Sequence, residues 1–148
     1  DGSSSHVREA IESGNMETAR KFLGRYYSIV GPVVAGYKTG QAIGFPTANI
    51  DTSKVQIPGT GVYAVRMIYE NKPYDAVVNI GFNPTFQRDR LSVEVHIFDF
   101  SQVIYGKEIE VEFIARIRSE IEFKSKEELV VQINKDIEKA KILLEESN

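Results

Sequence analysis

The sequence predicts a mainly β domain closed by a helix, and three observations carry that expectation. Between Tyr26 and about Ile117, short runs rich in β-branched and aromatic residues alternate with turn residues. Five or six such strands with no helix between them point to an antiparallel barrel or sandwich, not to a doubly wound parallel sheet. After Ser125 the apolar spacing changes to that of a helix and keeps it to the end of the chain. The length of 148 residues fits one domain with a short appendage. A chain of that size can bury about 70% of its unfolded surface and needs no covalent staples.

Taken in order, residues 1–25 read as two short helices. Val7, Ala10 and Ile11 share a face after a Ser3-Ser4-Ser5 cap region, and Gly14 ends the helix. Asn15 caps a second helix with Met16, Ala19, Phe22 and Leu23 on one side and Gly24 as its stop. The first strand is expected over 28–35. Val62–Tyr69 and Tyr74–Ile80 are expected to flank a hairpin turn at Glu70-Asn71-Lys72-Pro73. In Leu91–Phe98, Leu91, Val93, Val95 and Ile97 face one way, and Ser92, Glu94, His96 and Phe98 the other. Glu108–Ile117 alternates again, its glutamates opposite Ile109, Val111 and Phe113. The closing helix has a capping box at Ser125–Glu128 and a stripe of Leu129, Ile133, Ile137, Ala140 and Leu144.

Composition then removes whole classes of chemistry. The chain has no cysteine, which excludes disulfides, a thiolate nucleophile and Cys-ligated metal centres. It has two histidines, His6 and His96. Eighteen Lys and Arg against 21 Asp and Glu leave a net charge of −3, without the field of a general nucleic-acid binder. No apolar run approaches a membrane span and no signal peptide is present, so a soluble cytoplasmic protein is expected. The chain begins at Asp1 rather than methionine, the start expected of a fragment. Chemistry must run on oxygen ligands, carboxylates and backbone.

Two loops stand out. Gly36–Asn49 is long for a compact β domain, and loops of that kind are usually functional. Glycines 36, 40 and 44 permit close backbone approach to a polyanion, although neither a P-loop nor a kinase glycine motif is present. Pro46 stiffens the segment, so extended Thr47 and Asn49 project to one side as a hydroxyl and an amide oxygen. That pair suits a Mg²⁺ that keeps waters and takes its other ligands from phosphates; the plain alternative is local capping in a turn. The second loop, Ile80–Arg90, contains Gly81, Asn83, Pro84 and Thr85. Glu94 is a carboxylate mounted in a strand. On the strand pattern alone its face reads as solvated; facing a substrate, it would be a general base for a hydroxyl. The acidic rows 108-110-112 and 120-122 read as solvated.

Together, GFPTAN (Gly44–Asn49), NIGFNPTF (Asn79–Phe86), VEVHI (Val93–Ile97), YGK (Tyr105–Lys107) and RSEIEF (Arg118–Phe123) occur in the order seen in riboflavin kinases. Residues 26–144 resemble the C-terminal kinase module of bacterial bifunctional riboflavin kinase/FMN adenylyltransferases. Residues 3–8 resemble the segment that closes the adenylyltransferase module of those proteins. The resemblance implies domains at 1–25, the helical tail of that preceding module, and 26–148, the kinase. It also implies a six-stranded Greek-key barrel with a C-terminal helix, and transfer of the ATP γ-phosphoryl group to the 5′-hydroxyl of riboflavin, giving FMN and ADP. Thr47 and Asn49 would then bind Mg²⁺ and phosphate, and Glu94 would be the base. Gly36, Lys38 and Gly40 would fold over ATP, with Ile97 and Tyr105 near the nucleotide. Arg118, Ile121 and Phe123 would lie in the loop that closes on the flavin. Many members carry a basic residue at the position of Gln41, and Lys38 offers a cation from the same loop. The body of the adenylyltransferase is absent from the sequence, so no adenylylation is expected of it. A second reading is a non-catalytic flavin-binding carrier or regulator. A third, an RNA-binding barrel using Phe86, Arg88 and Arg90, has net charge against it.

Overall fold

The computed structural model describes residues 2–34, 47–82 and 91–147, with side chains from Ser5 onward. These residues form three helices, α1 (Gly2–Ser13), α2 (Met16–Leu23) and α3 (Lys126–Glu146). They also form six strands, β1 (Ser28–Val34), β2 (Ala48–Ile50), β3 (Gly61–Tyr69), β4 (Lys72–Phe82), β5 (Leu91–Ile97) and β6 (Glu108–Arg118).

The strands close into a barrel in the order β1-β2-β5-β4-β3-β6, with β6 returning to β1 and every pair antiparallel. Strands β3, β4 and β5 are hairpin neighbours, and β6 comes back to lie beside β3, which is a Greek key. Closure removes the sheet edges that an open sandwich would have to protect. The barrel interior is aliphatic and aromatic: Ile29, Val65, Val78, Val93, Val111 and Phe113 are among its buried side chains. Alternation explains the selection, since each of these strands sends every second residue inward.

The β3–β4 hairpin is tighter than the sequence suggested. Glu70 and Asn71 both have positive φ, at 49° and 64°, the pattern of a two-residue type I′ turn. Lys72 and Pro73 therefore belong to β4, paired with Tyr69 and Ile68. The N-terminal helices also differ in detail. Helix α1 starts at Gly2, so Ser3–Ser5 occupy its first turn rather than preceding it, where the leading N–H groups have no helical partners in any case. Asn15 caps α2 by accepting from the Thr18 N–H at 3.0 Å, and Gly24 ends it in the left-handed conformation, as the sequence predicts. Met16 and Ala19 are buried, but Phe22 and Leu23 are exposed, and Phe22 lies beside the His6 ring of α1 instead of on the barrel. Met16 reaches the barrel core, which packs the helical pair as part of the same body.

Helix α3 lies on the outside of the barrel. Ala140 and Leu144 pack with Ala64, Val77 and Ile114, which belong to β3, β4 and β6. Ser125 caps its start by accepting from the Glu128 N–H at 3.2 Å, and Arg66 donates to the Leu144 carbonyl at 2.9 Å near its end. Arg66 of β3 thereby ties the end of the helix to the barrel, and the outer face on which the helix lies also carries Glu94.

Candidate active site

Val93 and Val95 point into the barrel and are fully buried, so alternation turns Glu94 and His96 outward. The strand pattern read alone leaves that face to solvent. The fold corrects this, because α3 and the segment after β6 stand over it and leave Glu94 only partly exposed. Burial raises the Glu94 carboxyl above its ordinary pKa, and the Glu120 carboxylate adds to the rise. Across the sheet, Glu94 is flanked by Asn49 of β2 and Asn79 of β4, both directly opposite it.

Thr47 immediately precedes β2 and Asn49 lies within it. Thr47 Oγ1 and Asn49 Oδ1 are buried and have no hydrogen-bond partner among the described residues. The great majority of buried polar atoms are paired, and leaving one unpaired costs about 1–3 kcal/mol. Two orphaned oxygens two residues apart therefore mark a position kept for something else to complete. Both are neutral hard oxygens, which fits a Mg²⁺ that completes its shell from water and phosphate. Among the described residues no group of three or more His, Cys, Asp or Glu side chains could hold a metal alone.

Two cavities share Thr47 in their walls. One, of about 230 Å³, is lined by Thr47, Glu94, His96, Arg118, Ile121 and Phe123, with α3 contributing Leu129, Ile133 and Asp136. The other, of about 380 Å³, lies among Val33, Ala48, Ile97, Phe100 and Tyr105, and also includes Thr47. No charged side chain among the described residues lines the second.

The first cavity has its own electrostatic frame. Arg118 Nη2 donates to Asp136 Oδ2 at 2.8 Å, and Nε reaches both carboxylate oxygens, at 2.9 and 3.1 Å. Arg118 also lies over the Phe123 ring at 5.8 Å. Glu120 is exposed as a residue, yet its carboxyl sits so close over Gly81 that a Cβ there would collide with it. Burial of that tip raises the Glu120 pKa and the neighbouring Arg118 opposes the rise.

Comparison with known proteins turns this geometry into an assignment. Residues 23–144 match the family model for flavokinase, riboflavin kinase. The chain belongs to the riboflavin kinase family. A bifunctional riboflavin kinase/FMN adenylyltransferase of Bacillus subtilis is 46% identical over 142 residues, covering 93% of this chain and 45% of that protein. The protein of the same description from Haemophilus influenzae is 46% identical over 140 residues, covering 94% and 46%. The chain thus spans about half the length of the curated relatives it matches. Among solved structures, one described as a macrolide-efflux protein from Streptococcus pneumoniae superposes with a TM-score of 0.87 at 38% identity, covering 93% of this chain and 46% of that one. That description belongs to the pneumococcal protein; no helix among the described residues here is long and apolar enough to cross a membrane. A riboflavin kinase from Trypanosoma brucei shares the fold, with a TM-score of 0.58 at 24% identity and coverage of 82% and 81%.

Against the riboflavin kinase expectation, the structure brings Thr47, Glu94, Arg118, Ile121 and Phe123 to one cavity, and Asn49 beside Glu94 in the sheet. Ile97 and Tyr105 line the neighbouring cavity, again with Thr47. Gly36, Lys38, Gly40 and Gln41 lie outside the described residues, as do Ala35, Gly44–Pro46, Asn83–Phe86, Arg88 and Arg90. Sequence reasoning missed Asp136, although a carboxylate on a buried helical stripe was a signal for it. It also set Glu120 aside as solvated, and nothing local could have tied it to Gly81, about forty residues earlier.

Proposed function

We propose that this chain transfers the γ-phosphoryl group of ATP to the 5′-hydroxyl of riboflavin, releasing FMN and ADP, with Mg²⁺ as the required cation. Family membership supports the reaction, and one local observation supports the mechanism. A half-buried carboxylate of raised pKa stands beside two buried oxygens that have no partner among the described residues, one of them on Thr47, which lines two cavities. Riboflavin occupies the cavity roofed by α3, where Ile121 and Phe123 supply apolar surface for a flat ring system. The nucleotide takes the uncharged cavity with Ile97 and Tyr105, and its phosphates reach Thr47, which both cavities share.

Phosphoryl transfer asks the protein mainly for positioning and charge stabilisation. Glu94, held on a rigid strand, accepts the proton of the attacking hydroxyl as the new O–P bond forms and the bond to ADP breaks. Its raised pKa brings it nearer the pH at which a base works best. Thr47 Oγ1 and Asn49 Oδ1 are the atoms that would hold Mg²⁺, and the bound ion supplies positive charge to the transferring phosphoryl group. Residues 1–25 read as the end of a preceding adenylyltransferase module, and the cytoplasm is the compartment that goes with ATP as co-substrate.

Incubation of the chain with riboflavin, ATP and Mg²⁺, followed by chromatography, tests the proposal. FMN should form in step with ADP, only when a divalent cation is present, and no FAD should appear. Flavin binding without ADP release would replace the enzyme by a carrier.

A further inference from the structure

The C-terminal helix contributes a residue to the flavin cavity that the mechanism above does not use. Asp136 is 4% exposed and sits on the buried side of α3, among Leu129, Ile133 and Ala140. A carboxylate there is not what packing calls for, because apolar residues of similar size commonly stabilise as well as a buried ion pair does. Its bonds are specific. It accepts from Arg118 Nε and Nη2, and Gln132 Nε2 donates to its Oδ1 at 3.0 Å from one turn earlier. Arg118 Nη1 donates to the Ser119 carbonyl at 2.9 Å.

A guanidinium has five N–H donors in a fixed plane. These bonds engage Nε–H, one N–H of Nη2 and one of Nη1, so two of the five have no acceptor among the described residues, on a side chain that lines the cavity. The pairing also decides what those two can attract. An unpaired arginine is a strong phosphate ligand, and ATP, ADP and FMN all carry phosphate. With its charge balanced by Asp136, Arg118 keeps directional donors and loses its pull on anions. Glu94 and Glu120, facing the same cavity, add to that bias.

We infer that Asp136 is a positioning and specificity residue of the riboflavin site: it sets the plane of the Arg118 guanidinium and neutralises it, so that the cavity takes an uncharged heterocycle with carbonyl acceptors and turns phosphates away. The inference rests on the reading that riboflavin occupies this cavity. It concerns orientation, because Asp136 acts through Arg118 and need not touch the substrate.

Riboflavin binding, followed by quenching of its own fluorescence without ATP, tests this on the 148-residue chain and its D136N and Q132A variants. D136N should weaken riboflavin binding about tenfold or more and raise the riboflavin KM in proportion, with the ATP KM within twofold of wild type. Inorganic pyrophosphate should compete with riboflavin in D136N and not in wild type. Q132A, which removes only the bond that steadies the carboxylate, should move riboflavin binding the same way by about two- to fivefold. Riboflavin affinity within twofold of wild type in D136N, or an equal rise in both KM values, overturns the inference. If D136N does not fold, unchanged binding in Q132A overturns it. A wild-type chain that fails to bind riboflavin overturns the functional reading itself and this inference with it.

Discussion

The two cavities that share Thr47 are built from different materials. One is framed by Glu94, Arg118, Glu120 and Asp136 and roofed by α3. The other is bounded by β1, β5 and the segment 100–105, with no charged side chain among its described lining. The difference teaches where the protein must act on its ligand and where it need only receive it. Proton transfer and orientation require fixed charges on rigid elements, and under the proposed function Glu94 on β5, Arg118 on β6 and Asp136 on α3 would supply them. An uncharged pocket can accept a ring through apolar contact while the charge of the phosphates is met at its mouth.

The largest effect belongs to the charged side. E94Q removes the proposed base and keeps the shape, so kcat should fall by about 10²–10⁴, the usual contribution of general base catalysis. In wild type the acidic limb of the kcat/KM profile should lie above the ordinary glutamate value of 4.5, because Glu94 must lose a proton that burial makes it hold. The stability sign is opposite to that of an ion-paired carboxylate. The fold binds this proton more tightly than the unfolded chain does, so stability falls as pH rises from the ordinary value through the raised one. Above that window E94Q should melt no lower than wild type. A large loss of Tm at pH 8, or near-normal turnover, would take Glu94 out of the base role.

Substitutions at the shared boundary should affect both sides at once. T47A and N49A each delete an oxygen with no partner among the described residues, so stability should change little. Activity should fall roughly tenfold to a hundredfold, which is what losing about 1.5–3 kcal/mol of bonding to a charged group implies. The Mg²⁺ concentration giving half-maximal rate should rise in both variants. Normal kinetics across a Mg²⁺ titration would refute the assignment of these oxygens to the cation.

Legibility in the sequence divides along similar lines. The shared side of Asn49 and Glu94 was legible in part, because strand alternation determines the direction of a side chain within a few residues. An antiparallel β domain was legible for the same reason, as period-two alternation set its inner face, while the choice of a barrel over a sandwich rested on the family resemblance. Its closure, and the strip of outer face that α3 covers, depend on pairings between residues far apart in the chain. No local pattern reports those, so Glu94 looked solvated and Asp136 drew no reading at all. Gly81 under Glu120 is the extreme case, since a bare glycine carries no sign of the side chain that fills the space above it.

The smallest effect tests whether α3 is a roof for one cavity only. Ser125 caps the helix, and the Lys124 N–H donates to Glu128 Oε2 at 3.1 Å, tying the end of the 119–124 segment to the first helical turn. S125A should cost about 1 kcal/mol, the usual worth of such a cap, and lower Tm by roughly 2–4 °C in a domain of this size. The first turn also carries Leu129 into the cavity proposed for riboflavin, so loosening it should raise the riboflavin KM by up to about twofold. The ATP KM should not move, because nothing of α3 lines the second cavity. Steady-state kinetics with each substrate varied in turn, alongside a melting curve, separates the cases. If both KM values rise together, the two cavities are not independent and α3 supports the whole site. If only the riboflavin KM rises, the helix is part of one binding site, and its capping residue acts on function through the order of a single turn.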